Sequence, residues 1–365
     1  MNIRAKEIQE GVAIATSFDV FLVTKPENIY YISHFPGDDS LLLLTPKKFY
    51  FITDKRYSDD AESFFASNKL FQVLVAKKNI NKFALCQKIV KKYSFRKIGF
   101  EARGLSYASA VVMGEKLGRL RLVPIDAFIE QFRLIKTPSE LDLIKRAINC
   151  NEEAYKYLKR ILSASKTELA IRYAVEAQMR KVGSDGPSFP TIIAAGKKSA
   201  CPHARSDTTK IGHNRIVLAD MGTQFRHYCS DLTRTFYLGR MSRFFRRVYD
   251  NTLMAQEIAI SSIKPGVVIK DVVAAVRNYF KKAGCLQYFT HSLGHGVGLE
   301  VHERPHLSDG NTEVFQEGMV VTIEPGLYYP GRGGVRIEDM IVVTRSGVKV
   351  LSQYPKSLDK MQLYN

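Results

Sequence analysis

Carboxylates occupy positions in this chain where apolar strand residues belong. In Ile216-Val217-Leu218-Ala219-Asp220 the aspartate shares a face with Ile216 and Leu218, by the two-residue alternation of a strand. Asp231 follows eleven residues later and leads into Leu232-Thr233-Arg234-Thr235-Phe236. A hairpin folded about Phe225-Arg226 sets the two aspartates directly opposite, with Cβ atoms roughly 5 Å apart. Glu324 closes the apolar run Val320-Val321-Thr322-Ile323, and Glu338 ends Val335-Arg336-Ile337-Glu338 on the face it shares with Arg336.

Four acids on strand faces are an electrostatic problem. Burying one unpaired ion costs on the order of several kcal/mol, and like charges within about 5 Å add to it. Two divalent cations neutralise four such charges at short range. Oxygen donors with a single imidazole suit manganese, iron(II), cobalt or zinc, not a thiolate-type structural zinc. The imidazole has four sources, His291, His295, His302 and His306, half of the eight histidines in the chain. A rival pattern lies in the same stretch, since His302-Glu303-Arg304-Pro305-His306 spells the HExxH signature of zinc endopeptidases. That chemistry needs both histidines one turn apart on a helix, and Pro305 breaks such a helix.

The elements that must hold these residues fall into two parts. The first 130 or so residues alternate strand-like and helix-like segments: Asp19 to Thr24, two strands around Thr45-Pro46-Lys47-Lys48, a helical Asn81 to Ser94, and a strand from Lys97. Thr137-Pro138-Ser139-Glu140 then starts a long helix, with Thr137 as N-cap and Glu140 three residues on. A second helix is expected over Thr167 to Val182. From Ser188 the pattern turns to strands, interrupted by helices over Phe244 to Ile263 and Val268 to Ala283. The expected fold is a smaller N-terminal α/β domain over 1–130, followed by an α+β domain over 137–355 that carries the acids.

From Thr137 to about Val350 the chain resembles the pita-bread metallopeptidases, and among them the Xaa-Pro peptidases, aminopeptidase P and prolidase. LADMGTQFRHYCSDLTRTF, HSLGHGVGLEVHE, TIEPGLYYP and GVRIEDMIVV carry the resemblance. The first 130 residues are similar, more loosely, to the creatinase-type domain of that family. The resemblance implies that Asp231 and Glu338 bridge two metal ions, that Asp220 completes one, and that His295 and Glu324 complete the other. It also implies a hydroxide between the ions as nucleophile, Glu324 as proton shuttle and His302 as oxyanion donor. His291, His203 and Arg336 match substrate-contacting positions. Cys201 stands where a leucine is usual, and Arg226 where a small residue is common. The function expected is an Xaa-Pro aminopeptidase using two divalent ions, manganese first and cobalt or zinc as alternatives. Its partner is a peptide with proline in second position. The alternative is an Xaa-Pro dipeptidase, and a lesser one is an inactive pita-bread binding module, against which all five ligand positions are filled. A homodimer is expected by analogy.

Composition narrows the rest. At 365 residues, 45% hydrophobic and 25% charged, the chain suits two globular domains. Five scattered cysteines form no CxxC pair or disulfide framework, which points to reduced thiols and a cytoplasmic protein. No run is apolar enough for a secretory signal or a membrane span, so no membrane partner is expected. The net charge of +18 is spread over both halves without a nucleic-acid-binding motif, and reads as a solvated basic surface.

Overall fold

In a computed structural model of the chain, residues 3–36, 39–78, 80–118 and 121–364 are described. Their contacts separate into two units, Met1–Arg133 and Leu134–Asn365.

Six strands of the first unit form one sheet: β1 (Val20–Val23), β2 (Leu41–Leu44), β3 (Phe49–Asp54), β4 (Phe71–Ala76), β5 (Lys97–Glu101) and β6 (Arg121–Ile125), in the order β4-β3-β2-β1-β5-β6. Strands β2 and β3 make the hairpin predicted around Thr45-Lys48. Leu44 pairs with Phe49, and the Thr45 N–H donates to Lys48 O at 2.9 Å. The pairs β1–β5, β3–β4 and β5–β6 are parallel, an arrangement that requires crossover connections. One crossover contains the Lys82–Lys92 helix, whose N-cap Asn81 accepts from Phe83 N at 2.8 Å. That helix turns Phe83, Cys86 and Val90 into the core beside Val20, Leu22 and Ile98.

The second unit begins with the Pro138–Ile161 helix. Its capping box is complete: Thr137 Oγ1 accepts from Glu140 N at 3.3 Å, and Glu140 Oε2 accepts from Thr137 N at 2.8 Å. The strands that follow are β7 (Gly186–Pro187), β8 (Ile192–Ala195), β9 (Arg215–Met221), β10 (Thr223–Phe225), β11 (Tyr228–Cys229), β12 (Leu232–Leu238) and β13 (Gly294–Gly296). Then come β14 (Glu303–Leu307), β15 (Val320–Ile323), β16 (Gly326–Tyr329), β17 (Gly333–Arg336), β18 (Asp339–Thr344), β19 (Gly347–Val350) and β20 (Gln362–Leu363). Two sheets dominate, β20-β12-β9-β8 and β14-β13-β15-β18-β19. Within them β12–β20 is the parallel pair.

Helices pin these strands beside the acids. Tyr155, fully buried, brings its hydroxyl within 2.8 Å of Ala219 O and 2.6 Å of Leu232 O, the neighbours of Asp220 and Asp231. From the Arg243–Ser262 helix, the buried Gln256 Nε2 donates to Ile323 O (3.0 Å) and Ile337 O (3.2 Å), the residues just before Glu324 and Glu338. Arg234 is also fully buried. Its guanidinium donates to Pro355 O at 2.9 Å, Thr233 O at 3.0 Å, Tyr354 O at 2.6 Å and the carbonyl of Glu338, and pairs with Asp339 at 2.7 Å.

The turn between β10 and β11 is centred on Arg226-His227, not on Phe225-Arg226, with Phe225 paired to Tyr228. Both turn residues take positive φ, 46° and 69°, as a tight two-residue hairpin turn demands. The register therefore sets Thr233, not Asp231, opposite Asp220. Asp231 moves two residues along and stays on the same face, as a diagonal neighbour. The HExxH stretch, for its part, is extended: Glu303–Leu307 is β14, so His302 and His306 share no helical face.

Candidate active site

The strands deliver five ligand-type side chains to one cavity of about 420 Å³. Asp220 sits near the end of β9, Asp231 just before β12, His295 within β13, Glu324 directly after β15 and Glu338 directly before β18. One ligand atom from each of Asp231, His295 and Glu338 lies within 4.8 Å of the other two. Glu324 and Asp220 stand outside that trio. His295 Nε2 is 3.2 Å from Glu324 Oε1 and 3.6 Å from Asp231 Oδ2, while Arg336 Nη2 draws Asp220 Oδ2 to 2.6 Å.

The charges strain against each other. Burial, then Glu338, Asp220 and Glu324, push Asp231 well above the usual carboxylate range. Burial, then Glu324 and Asp220, do the same to Glu338. Asp220 rises through burial, against the pull of Arg336. Glu324 goes the other way: burial raises it, but the hydrogen bond and charge of His295 bring it down to about 2. For His295, burial is outweighed by Glu324, and its pKa is raised.

Two observations say what the cluster wants. His295 Nδ1 donates to Gly296 O at 3.1 Å, so Nε2 is the nitrogen turned to the carboxylates, open to a metal ion once it gives up its proton. Asp220 Oδ1 and Glu338 Oε1 are buried with no hydrogen-bond partner among the described residues. Orphaned carboxylate oxygens this deep are costly unless something positive binds them. A divalent cation fits both observations, and the oxygen-rich donor set suits a hard or borderline ion.

Around the acids runs a relay that the sequence reading missed. Arg336 Nη1 donates to Tyr328 Oη at 2.7 Å, and Tyr328 Oη lies 2.9 Å from His291 Nε2. Because His291 Nδ1 faces Ser292 O at 2.7 Å, Nε2 is the acceptor and the tyrosine the donor. Thr233, opposite Asp220, accepts from Arg336 Nε at 3.0 Å and donates to Glu338 Oε2 at 2.7 Å. Its place was open to inference, two residues from Asp231 on the same strand face. Tyr328 lay inside TIEPGLYYP without any spacing signal. His302 packs its ring 4.3 Å from that of His295, and burial together with the His295 charge lowers its pKa. His203 and Arg205 line the cavity and are exposed, as does His306, while Phe189, Pro190, Ile192 and Pro202 form an apolar wall.

Residues 142–345 match the model of metallopeptidase family M24, and residues 9–135 that of the creatinase/prolidase N-terminal domain. The Xaa-Pro dipeptidase of Pyrococcus horikoshii is 33% identical over 98% of this chain and 99% of its own length. Among solved structures, the Xaa-Pro dipeptidase from Bacillus anthracis superposes with a TM-score of 0.93 at 33% identity, covering 100% of both chains. The X-Pro aminopeptidase from Thermotoga maritima gives 0.85 at 31% identity, over 95% of this chain and 98% of its own. An M24 domain preceded by a creatinase-type domain, built around a cavity of converging carboxylates and one imidazole, places this chain in metallopeptidase family M24.

Proposed function

We propose that the protein is an Xaa-Pro dipeptidase working with two divalent ions, manganese foremost, held by Asp220, Asp231, His295, Glu324 and Glu338. The observation that carries the metal reading is the pair of orphaned oxygens, Asp220 Oδ1 and Glu338 Oε1, facing a cluster that repels itself. The choice of dipeptidase over the aminopeptidase that sequence motifs put first rests on the relatives: Xaa-Pro dipeptidases match nearly end to end. The aminopeptidase reading is kept second because of the Thermotoga maritima structure.

When bound, the ions would lower the proton affinity of a water molecule and polarise the scissile carbonyl. The chain's own residues supply the rest. Glu324 is held by Thr322 Oγ1 at 3.2 Å and by His295, and is ionised, so it can take a proton and return it to the leaving nitrogen. His302, whose pKa is lowered by burial and by the neighbouring His295, can donate an N–H to the developing oxyanion. His203, His291 and Arg336 position the substrate, the latter two through their link to Tyr328. The apolar wall of Phe189, Pro190, Ile192 and Pro202 offers a surface for the pyrrolidine ring.

Substrate length is the deciding measurement. With manganese, cobalt and zinc added in turn, kcat/KM for Gly-Pro and Ala-Pro is expected to exceed that for Arg-Pro-Pro by at least about tenfold. A preference for the tripeptide returns the reading to an aminopeptidase. A second expectation concerns Thr233, which steers both Arg336 and Glu338. Thr233→Val should weaken metal affinity by about 10- to 100-fold, the range for losing a ligand's supporting hydrogen bond. Metal titration with far-ultraviolet circular dichroism as control reads this, and wild-type affinity in the variant would refute the bridging role of the hydroxyl.

A further inference from the structure

The ion pair between Lys136 and Glu303 is the feature that the chemistry above leaves unused. The two side chains meet at 2.7 Å and are only 1% and 5% exposed. Taking two full charges out of water costs more than most surface pairs return, so such a pair is a weak stabiliser. Its position is informative. Glu303 directly follows His302 and opens β14, pairing with Gly296, the residue after His295. A Cβ on Gly298 would collide with the Glu303 carboxylate, so that carboxylate underlies the loop of residues 297–301 joining the two histidines. Lys136 is itself fixed: its N–H donates to Gly318 O at 2.9 Å, and Ile135 bridges to Met319, at the entry to the strand that leads to Glu324.

We infer that Lys136 and Glu303 are positioning residues for His302, the buried lysine holding the glutamate that sets the loop from which this histidine reaches the cavity. The inference rests on the reading of His302 as a group acting on the substrate. Neither Lys136 nor Glu303 lines the cavity, so their effect must pass through the loop. A lysine 167 residues away in sequence thereby becomes part of the site's geometry.

A double-mutant cycle tests it in the full-length, manganese-loaded enzyme with Ala-Pro as substrate. Lys136→Met and Glu303→Gln should each lower kcat on the order of 10- to 100-fold, as misplacing a reacting group does, with KM moving less than about twofold. In a His302→Ala background the same changes should alter kcat by less than about twofold, because the residue they position is gone. Bound manganese should stay at the wild-type stoichiometry. Glu303→Gln, which keeps the size of the side chain but removes the charge by which Lys136 holds it, carries the cycle if Lys136→Met loses cooperative unfolding. Equal losses in both backgrounds, an unchanged kcat in Glu303→Gln, or loss of manganese would each overturn the inference. A His302→Ala enzyme with full kcat would overturn the His302 reading itself, and this inference with it.

Discussion

Asp231→Asn is expected to lower kcat by at least about 10⁴-fold, because a proposed ligand of both ions loses its charge. The metal-free variant is expected to melt no lower than the metal-free parent. In the parent, Asp231 is buried with Glu338, Asp220 and Glu324 around it, and all of them oppose its ionisation. Asparagine has the same shape, removes one of the repelling charges and brings an N–H donor to face the remaining oxygens. The substitution thus separates function from stability, with activity collapsing while the empty fold holds or gains. Steady-state kinetics, elemental analysis of bound metal and calorimetry in chelator read the three quantities. Undiminished hydrolysis would refute the role of Asp231, and a lower melting temperature in chelator would refute the electrostatic account.

Chelation should abolish turnover and also reverse how stability responds to pH. In the metal-free protein Asp231, Glu338 and Asp220 have folded pKa values above their unfolded ones, as does His295. Such groups hold more protons folded than unfolded. Their stability contribution is complete below the unfolded pKa, near 4 for the acids and 6.5 for the histidine, and is lost as pH rises through the folded values. Glu324, brought down to about 2, titrates below this window, and His291 and His302, whose pKa values are lowered, oppose the trend only up to about 6.5, two groups against four. The chelated protein should therefore melt at a lower temperature at pH 8 than at pH 5.5, with a slope of about 1.4 kcal/mol per pH unit for each extra proton held. Metal binding requires deprotonated ligands, so the loaded protein should gain relative to the chelated one over the same range. Parallel melting curves with and without chelator would sink the claim that these groups form a metal site.

The strand positions of the acids were legible because a carboxylate closing Ile216-Val217-Leu218-Ala219 or Val320-Val321-Thr322-Ile323 contradicts its own alternation pattern. The helix start at Thr137 and the turn at Thr45-Lys48 were legible too, since capping and turn chemistry are local. The hairpin register was not. Arg226-His227 carries none of the Asn-Gly signal that marks a two-residue turn, so the sequence pattern places its centre one residue early. Thr233 and Tyr328 escaped for a different reason: each works through hydrogen bonds that only the fold creates, and although alternation puts Thr233 on the face of Asp231, nothing in a hydroxyl marks its partners. The Lys136–Glu303 pair is the extreme case.

Arg234 has a consequence for how the molecule comes into being. Its guanidinium ties the strand after Asp231 and the backbone at Glu338 to the carbonyls of Tyr354 and Pro355, 120 and 121 positions downstream. During synthesis those carbonyls follow all five proposed ligands, so a nascent chain that already contains every one of them still lacks the clasp that closes around them.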